Sequence, residues 1–140
     1  MSRNLNNVCI IDDDNIYISL LSKIIELKKL SDSILVFNNG KEALDFFIDS
    51  IPKQNTIDIP QIIFLDINMP VMDGWKFLEE FSKIKNGIFE KITLYVVSSS
   101  IDSRDIERAK SIDIVTDYLT KPITLKDFER VLAQKDSLSA

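Results

Sequence analysis

The chain has 140 residues, 45% of them hydrophobic and 28% charged, which is enough for one domain with its own core and too balanced for global disorder. Its 17 Lys and Arg against 22 Asp and Glu give a net charge of −5, and the basic residues are scattered, so there is no footprint for a nucleic-acid backbone. With no histidine and one cysteine, Ser-His-Asp and Cys-His catalysis, a Cys/His zinc site and a disulfide framework are all excluded. Cys9 lies in an apolar run and reads as a small buried hydrophobe, which fits a reducing compartment. No apolar run approaches the roughly 20 residues of a membrane span, and the N-terminal MSRNLNNVCII is too short of apolar residues for a secretory leader. A cytoplasmic protein with no membrane partner is expected.

In chain order, Val8-Cys9-Ile10-Ile11 predicts a strand, because it is too short for a helix and is stopped by Asp12-Asp13-Asp14. Helical spacing follows, with Ile16, Leu20, Ile24 and Leu27 on one stripe and Tyr17 and Leu21 flanking it. That phase puts Ile18 well away from the centre of the stripe, exposed beside the acidic run. Ile34 to Phe37 is a second strand, closed by Asn38-Asn39-Gly40, and Ala43, Leu44, Phe47 and Ile48 mark a second helix. The longest loop, Asp49 to Pro60, leads to a third strand over Ile62 to Leu65. Asp73 is placed to cap a helix that begins at Trp75 and carries Phe77, Leu78 and Phe81. Leu94 to Val97 predicts the fourth strand, Ile106 and Ala109 a short helix, and Ile114 to Leu119 the fifth strand. Leu125, Phe128, Val131 and Leu132 mark a final helix, followed by a frayed tail over 135–140.

Five short apolar strands alternating with five helices predict an α/β fold, a parallel sheet covered by helices on both faces. In such sheets the working residues lie beyond the carboxyl ends of the strands. Four of the five strands end in polar groups there: Asp12-Asp13-Asp14, Asp66, Ser98-Ser99-Ser100 and Lys121-Pro122. Each alone has a bland explanation as a helix cap, a turn or a strand terminator. Their joint occurrence at one sheet edge does not. Two carboxylates about 5 Å apart at an effective dielectric near 20 repel by roughly 3 kcal/mol, so Asp12, Asp13 and Asp66 together call for a cation. Their all-oxygen donor set suits Mg²⁺ (or Mn²⁺), an ion that shares its shell with phosphate. A carboxylate beside such an ion can attack a phosphoryl group, with Lys121 and Ser98 contacting the phosphate oxygens.

These motifs together resemble the receiver domain of two-component response regulators, over about residues 7–134. Within the resemblance, IIDDD at 10–14 matches the acidic pair and implies Asp12 and Asp13 as metal-site carboxylates. IIFLDINMPVMDG at 62–74 matches the phosphoacceptor segment, implying Asp66 as the phosphorylated residue and the backbone carbonyl of Asn68 as a further metal ligand. YVVSSS at 95–100 places Ser98 at the switch hydroxyl and Ser99 at the small residue after it. DYLTKPI at 117–123 implies Lys121 as the active-site lysine, Tyr118 as the switch aromatic and a cis bond before Pro122. The implied fold is flavodoxin-like with strand order 2-1-3-4-5.

The implied function is a stand-alone receiver. It would take phosphate from a sensor histidine kinase or a histidine phosphotransfer protein and signal to a partner protein, with Ile18 as a candidate kinase contact. Two rivals are weighed against it. A haloacid-dehalogenase-like phosphatase would need a carboxylate two residues past its nucleophile, where Asn68 stands. A degenerate receiver acting unphosphorylated would not need every active-site position filled by a competent residue, as all are here.

Overall fold

The computed structural model describes residues 5–53, 59–69, 71–127 and 129–131. The alternation of strands and helices read from the periodicity is present: β1 (Leu5–Ile11), α1 (Asn15–Leu27), β2 (Ser31–Phe37), α2 (Gly40–Ser50), β3 (Ile62–Asp66), α3 (Gly74–Ser82), β4 (Thr93–Ser98), α4 (Ser103–Lys110) and β5 (Val115–Thr120). Helical residues 125–127 and 129–131 follow β5, and a single 3-10 turn at Gly87–Phe89 precedes β4. All pairings are parallel and the order is β2-β1-β3-β4-β5. Parallel order forces each connection to cross over the sheet, so the strands are buried on both faces. β3 and β4 are accordingly buried along their whole length.

Period-two alternation divides the strand side chains between two cores. Cys9, Ile11, Ile63, Leu65, Leu94 and Val96 face α2, α3 and α4, around an aromatic cluster of Phe47, Phe77, Phe81 and Phe89. Val8, Ile10, Ile62, Phe64, Tyr95 and Val97 face α1 and the C-terminal helical residues. Cys9 is buried and its thiol is raised far above the ordinary range by burial, as expected of a packing residue. No helix among the described residues is long and apolar enough to cross a membrane.

The phase of α1 differs from the sequence expectation. Tyr17, Ile18, Leu21 and Ile25 are the buried residues, whereas Ile16 is 84% exposed, Leu20 54% and Leu27 72%. Ile18 is therefore core, not an exposed contact. The physical reason is that α1 has two apolar faces. At about 100° per residue, Tyr17, Leu21, Ile25 and Ile18 span an arc of about 100°, and Ile16, Leu20 and Leu27 lie together roughly 130° from its centre. Periodicity identified a helix correctly but could not choose between two stripes that are both apolar. A smaller shift of the same kind occurs in α2, where Ala43, Leu44 and Phe47 are buried and Ile48 is half exposed. In the last helical stretch Val131 is buried and Leu125 is 40% exposed; Phe128, Leu132, the tail at 135–140 and much of the 49–60 loop lie outside the described residues.

The new phase makes opposite forecasts for neighbouring residues. Ile18→Ala should lower stability by about 2–4 kcal/mol, as a buried large-to-small change does. Ile16→Ala should stay within about 0.5 kcal/mol of wild type. Urea denaturation of the two variants distinguishes the phases, and the reverse order would restore the original one.

Candidate functional site

Every strand runs in the same direction, so the residues that end β1, β3, β4 and β5 arrive at one edge. Asp12 directly follows β1, where its backbone N–H continues the sheet pattern by donating to the Phe37 carbonyl at 3.0 Å. Its side chain is buried, and Oδ1 accepts from the Asp14 N–H at 3.0 Å. Asp14 in turn caps α1, accepting from the N–H groups of Ile16 and Tyr17 at 3.1 Å each. Of the three consecutive aspartates, then, one points into the site, one caps a helix, and Asp13 is exposed at the rim.

Asp66 is the last residue of β3 and is 6% exposed. The helix that follows is seated against its backbone. A Cβ on Gly74 would lie 2.5 Å from the Asp66 carbonyl oxygen and 2.7 Å from Ile67 Cα, so only glycine lets α3 start there. The Gly74 N–H donates to the Ile67 carbonyl at 2.8 Å, and Asp73 caps α3 by accepting from the Lys76 N–H at 2.9 Å. Between them Val71 takes φ +68°, a conformation costly for a β-branched residue.

Asp12, Asp13 and Asp66 each present a carboxylate oxygen within 4.8 Å of the others. Lys121 reaches this cluster from just beyond β5, with its Nζ 2.8 Å from Asp12 Oδ2 and 3.8 Å from Asp66 Oδ2. Its backbone N–H donates to the Ser98 carbonyl at 2.9 Å, and the Lys121-Pro122 peptide is cis, as the resemblance implied. Burial, and next the charge of Asp12, push the Asp66 carboxyl up to about 6; Lys121 and the Asn68 N–H, which donates to Asp66 Oδ1 at 3.4 Å, oppose the rise, and Asp13 adds a smaller push. The donor set is all oxygen, clustered and strained by its own charge, and it fits a hard divalent cation.

Ser98 is fully buried at the end of β4, and its Oγ accepts from the Ser100 N–H at 3.1 Å. Ser99 is exposed. Tyr118 is buried, with its ring already inward, and its hydroxyl donates to the Ser100 carbonyl at 2.7 Å. Ser100 is the joint of this loop: its Oγ donates to Asp105 Oδ2 at 2.8 Å and accepts from the Asp102 N–H at 3.2 Å. The loop network and the inward Tyr118 were not legible from spacing. Nor was Tyr17, whose ring lies 4.5 Å from Lys121 Nζ. The one available signal was an amphipathic residue among aliphatics, one helical turn after Asp13.

Known proteins share this fold. The family model of the response regulator receiver domain matches residues 8–133, and the chain belongs to that family. It is 24% identical over 127 residues to a probable methanogenesis regulatory protein, FilR2, of Methanothrix harundinacea, covering 91% of this chain and 79% of that protein. By contrast it spans only 19% of the rice two-component response regulator ORR26, to which it is 30% identical. Among solved structures, a two-component response regulator from Cytophaga hutchinsonii superposes with a TM-score of 0.85 at 28% identity, covering 96% of this chain and 99% of that one. A chain in the co-crystal structure of the yeast (Saccharomyces cerevisiae) histidine phosphotransfer protein Ypd1 with the receiver domain of Ssk1 shares the fold, with a TM-score of 0.79 at 20% identity, over 100% of this chain and 94% of that one. The protein is thus a receiver domain of the two-component response regulator type, a class of signalling switches.

The raised Asp66 value has a consequence for stability. Between the ordinary carboxylate value and about 6, the folded chain holds a proton that the unfolded chain has released. Stability in chelator-treated protein therefore falls as pH rises through that window. Asp66→Asn removes this contribution and should be more stable than wild type by about 1–3 kcal/mol at pH 7.5, with the gap closing toward pH 4. Urea titrations of both proteins in EDTA at the two pH values check this, and a gap that widens toward acid would contradict it.

Proposed function

We propose that this receiver accepts a phosphoryl group on Asp66 from a phosphohistidine and signals to a partner protein through its β4–α4 and β5 surface. The observation that carries the reading is the convergence of Asp12, Asp13 and Asp66 around Lys121 at one sheet edge. Asp12, Asp13, Asp66 and the carbonyl of Asn68 would hold Mg²⁺ or Mn²⁺. When bound, the ion supplies charge neutralisation for the carboxylates and the phosphoryl oxygens.

In the transfer, an Asp66 carboxylate oxygen attacks phosphorus. A new O–P bond forms, the N–P bond to the donor histidine breaks, and its electron pair returns to the imidazole nitrogen, which takes up a proton. Lys121 then has a phosphoryl oxygen to neutralise, on the side of Asp66 that it already approaches. Ser98 uses its hydroxyl as an acceptor toward Ser100 N–H, which leaves its own proton for another phosphoryl oxygen. A Ser98 side chain that moves toward the phosphate draws on the loop where Ser100 holds Tyr118, Asp102 and Asp105. That is a coupling route in this chain from phosphate to surface, and phosphate biases it only by its different contacts in the two states.

The donor protein docks, in this reading, on the exposed apolar face of α1. Ile16, Leu20 and Leu27 form a stripe that starts beside the acidic cluster, and exposed apolar residues gathered on one face mark interaction surfaces. The Ypd1–Ssk1 pair supports a histidine phosphotransfer protein as the kind of partner.

Intact-mass spectrometry with Mg²⁺ and acetyl phosphate tests the chemistry. One phosphoryl adduct is expected on wild type, none in EDTA and none on Asp66→Asn; an unmodified, folded wild type would favour a receiver that works unphosphorylated. Leu20→Glu should be phosphorylated by acetyl phosphate at the wild-type rate but at least about tenfold more slowly by a phosphorylated histidine phosphotransfer protein that serves the wild type. Equal loss with both donors would remove α1 as the docking face.

A further inference from the structure

The ammonium of Lys121 has a problem that the carboxylates alone do not solve. It lies 2.8 Å from Asp12 but 3.8 Å from Asp66, so its closer ionic partner is the wrong one for chemistry at Asp66. Any cation that takes up the charge of Asp12 weakens that partner. A lysine on a flexible four-carbon stem, freed in this way, gains entropy and hydration by turning toward solvent. Something other than Asp12 has to keep it in place.

Tyr17 is positioned to do so. It sits on the first turn of α1, 9% exposed, in the core that α1 makes with Ile10, Phe64 and Leu119. The Lys121 Nζ lies over its ring, 4.5 Å from the centroid. The side chain of Lys121 is only 16% exposed, so the contact is largely shielded from water, where a cation over an aromatic face is held most firmly. Burial, with Asp12 and Asp66 next, holds the Tyr17 phenol well above its ordinary value, and the ring is a neutral platform. Its hydroxyl is the one buried side-chain polar atom without a hydrogen-bond partner among the described residues. An orphan hydroxyl is a cost that an aliphatic residue of similar bulk would avoid. A leucine would fill much of this space, but it would offer the ammonium no negative face.

We infer that Tyr17 is a positioning residue for Lys121: its ring face retains the ammonium within reach of Asp66 when the charge of Asp12 is engaged elsewhere. The inference rests on the reading of Asp66 as phosphoacceptor, and it assigns the ring the task and the hydroxyl none. Tyr17 does not touch the phosphoryl group; it acts through the lysine.

The test separates ring from hydroxyl and both from packing. Tyr17→Phe keeps the face and removes the orphan, so it should be phosphorylated by acetyl phosphate within about twofold of wild type and melt at a higher temperature. Tyr17→Leu should be phosphorylated about fivefold more slowly while still folded, as judged by circular dichroism. A series of increasingly fluorinated phenylalanines at position 17 keeps the shape while draining the ring face, and the rate should fall stepwise along it. Independently of activity, the Lys121 side-chain methylene signals in the NMR spectrum of chelated protein should show a ring-current upfield shift in wild type and Tyr17→Phe and lose it in Tyr17→Leu. Wild-type rates in Tyr17→Leu, a flat fluorine series, or Tyr17→Phe as slow as Tyr17→Leu would each overturn the role while leaving Asp66 as acceptor. A wild type that takes no phosphate would overturn the phosphoacceptor reading and this role with it.

Discussion

Asp12, Asp13 and Asp66 are held with carboxylate oxygens within 4.8 Å of one another, and the rest of the fold is arranged to keep them there. Left to themselves they would separate, because at this spacing each pair repels by a few kcal/mol. The sheet prevents it. Asp12 is fixed by the β1–β2 backbone pattern and by the Asp14 N–H, and Asp66 by its place in the fully buried β3. Gly74 lets α3 start against the Asp66 backbone, which closes off another way for the strand end to relax. Two packed cores, one on each face of the sheet, supply the free energy that this crowding costs. Burial, and next the charge of Asp12, push the Asp66 carboxyl up to about 6.

A crowded acidic cluster is also a sensitive one. Anything that changes its charge changes which partner Lys121 prefers, and Lys121 is bonded through its backbone to the Ser98 carbonyl. From Ser98 the contacts run on to Ser100, and from Ser100 to Tyr118, Asp102 and Asp105 at the start of α4. Charge at the sheet edge and the position of α4 are therefore joined by a short run of hydrogen bonds, each with named atoms. Arg108 of α4 also packs over Trp75 of α3 at 4.1 Å, which ties that helix to the element that follows Asp66.

Much of this was legible in the sequence because it is written in strong, local signals. Short apolar runs punctuated by acidic or hydroxyl residues mark parallel strands, and parallel order then brings Asp12, Asp66, Ser98 and Lys121 to one edge without further information. The cap at Asp73 was legible for the same reason, as it depends on neighbours three residues away. Three features were not. The phase of α1 was lost because Ile16, Leu20 and Leu27 are as apolar as the residues that are buried, and only the tertiary fit with Ile10 and Phe64 decides between the faces. The contact of Tyr17 is not written in its neighbourhood, because it is set by Lys121, about a hundred positions away in the chain. The inward Tyr118 depends on a loop geometry at Ser100 that no periodicity encodes.

In the proposed reaction the carboxylate at the end of β3, and no hydroxyl near it, forms the bond to phosphorus. Borohydride reduction of the phosphorylated protein, followed by peptide mass mapping, tests it directly, because an acyl phosphate is reduced to an alcohol whereas a phosphoserine is not. Homoserine is expected at position 66 and an unchanged residue at 12, 13, 98, 99 and 100. Phosphate that survives borohydride on any of the three serines, or homoserine at 12 or 13, would contradict it.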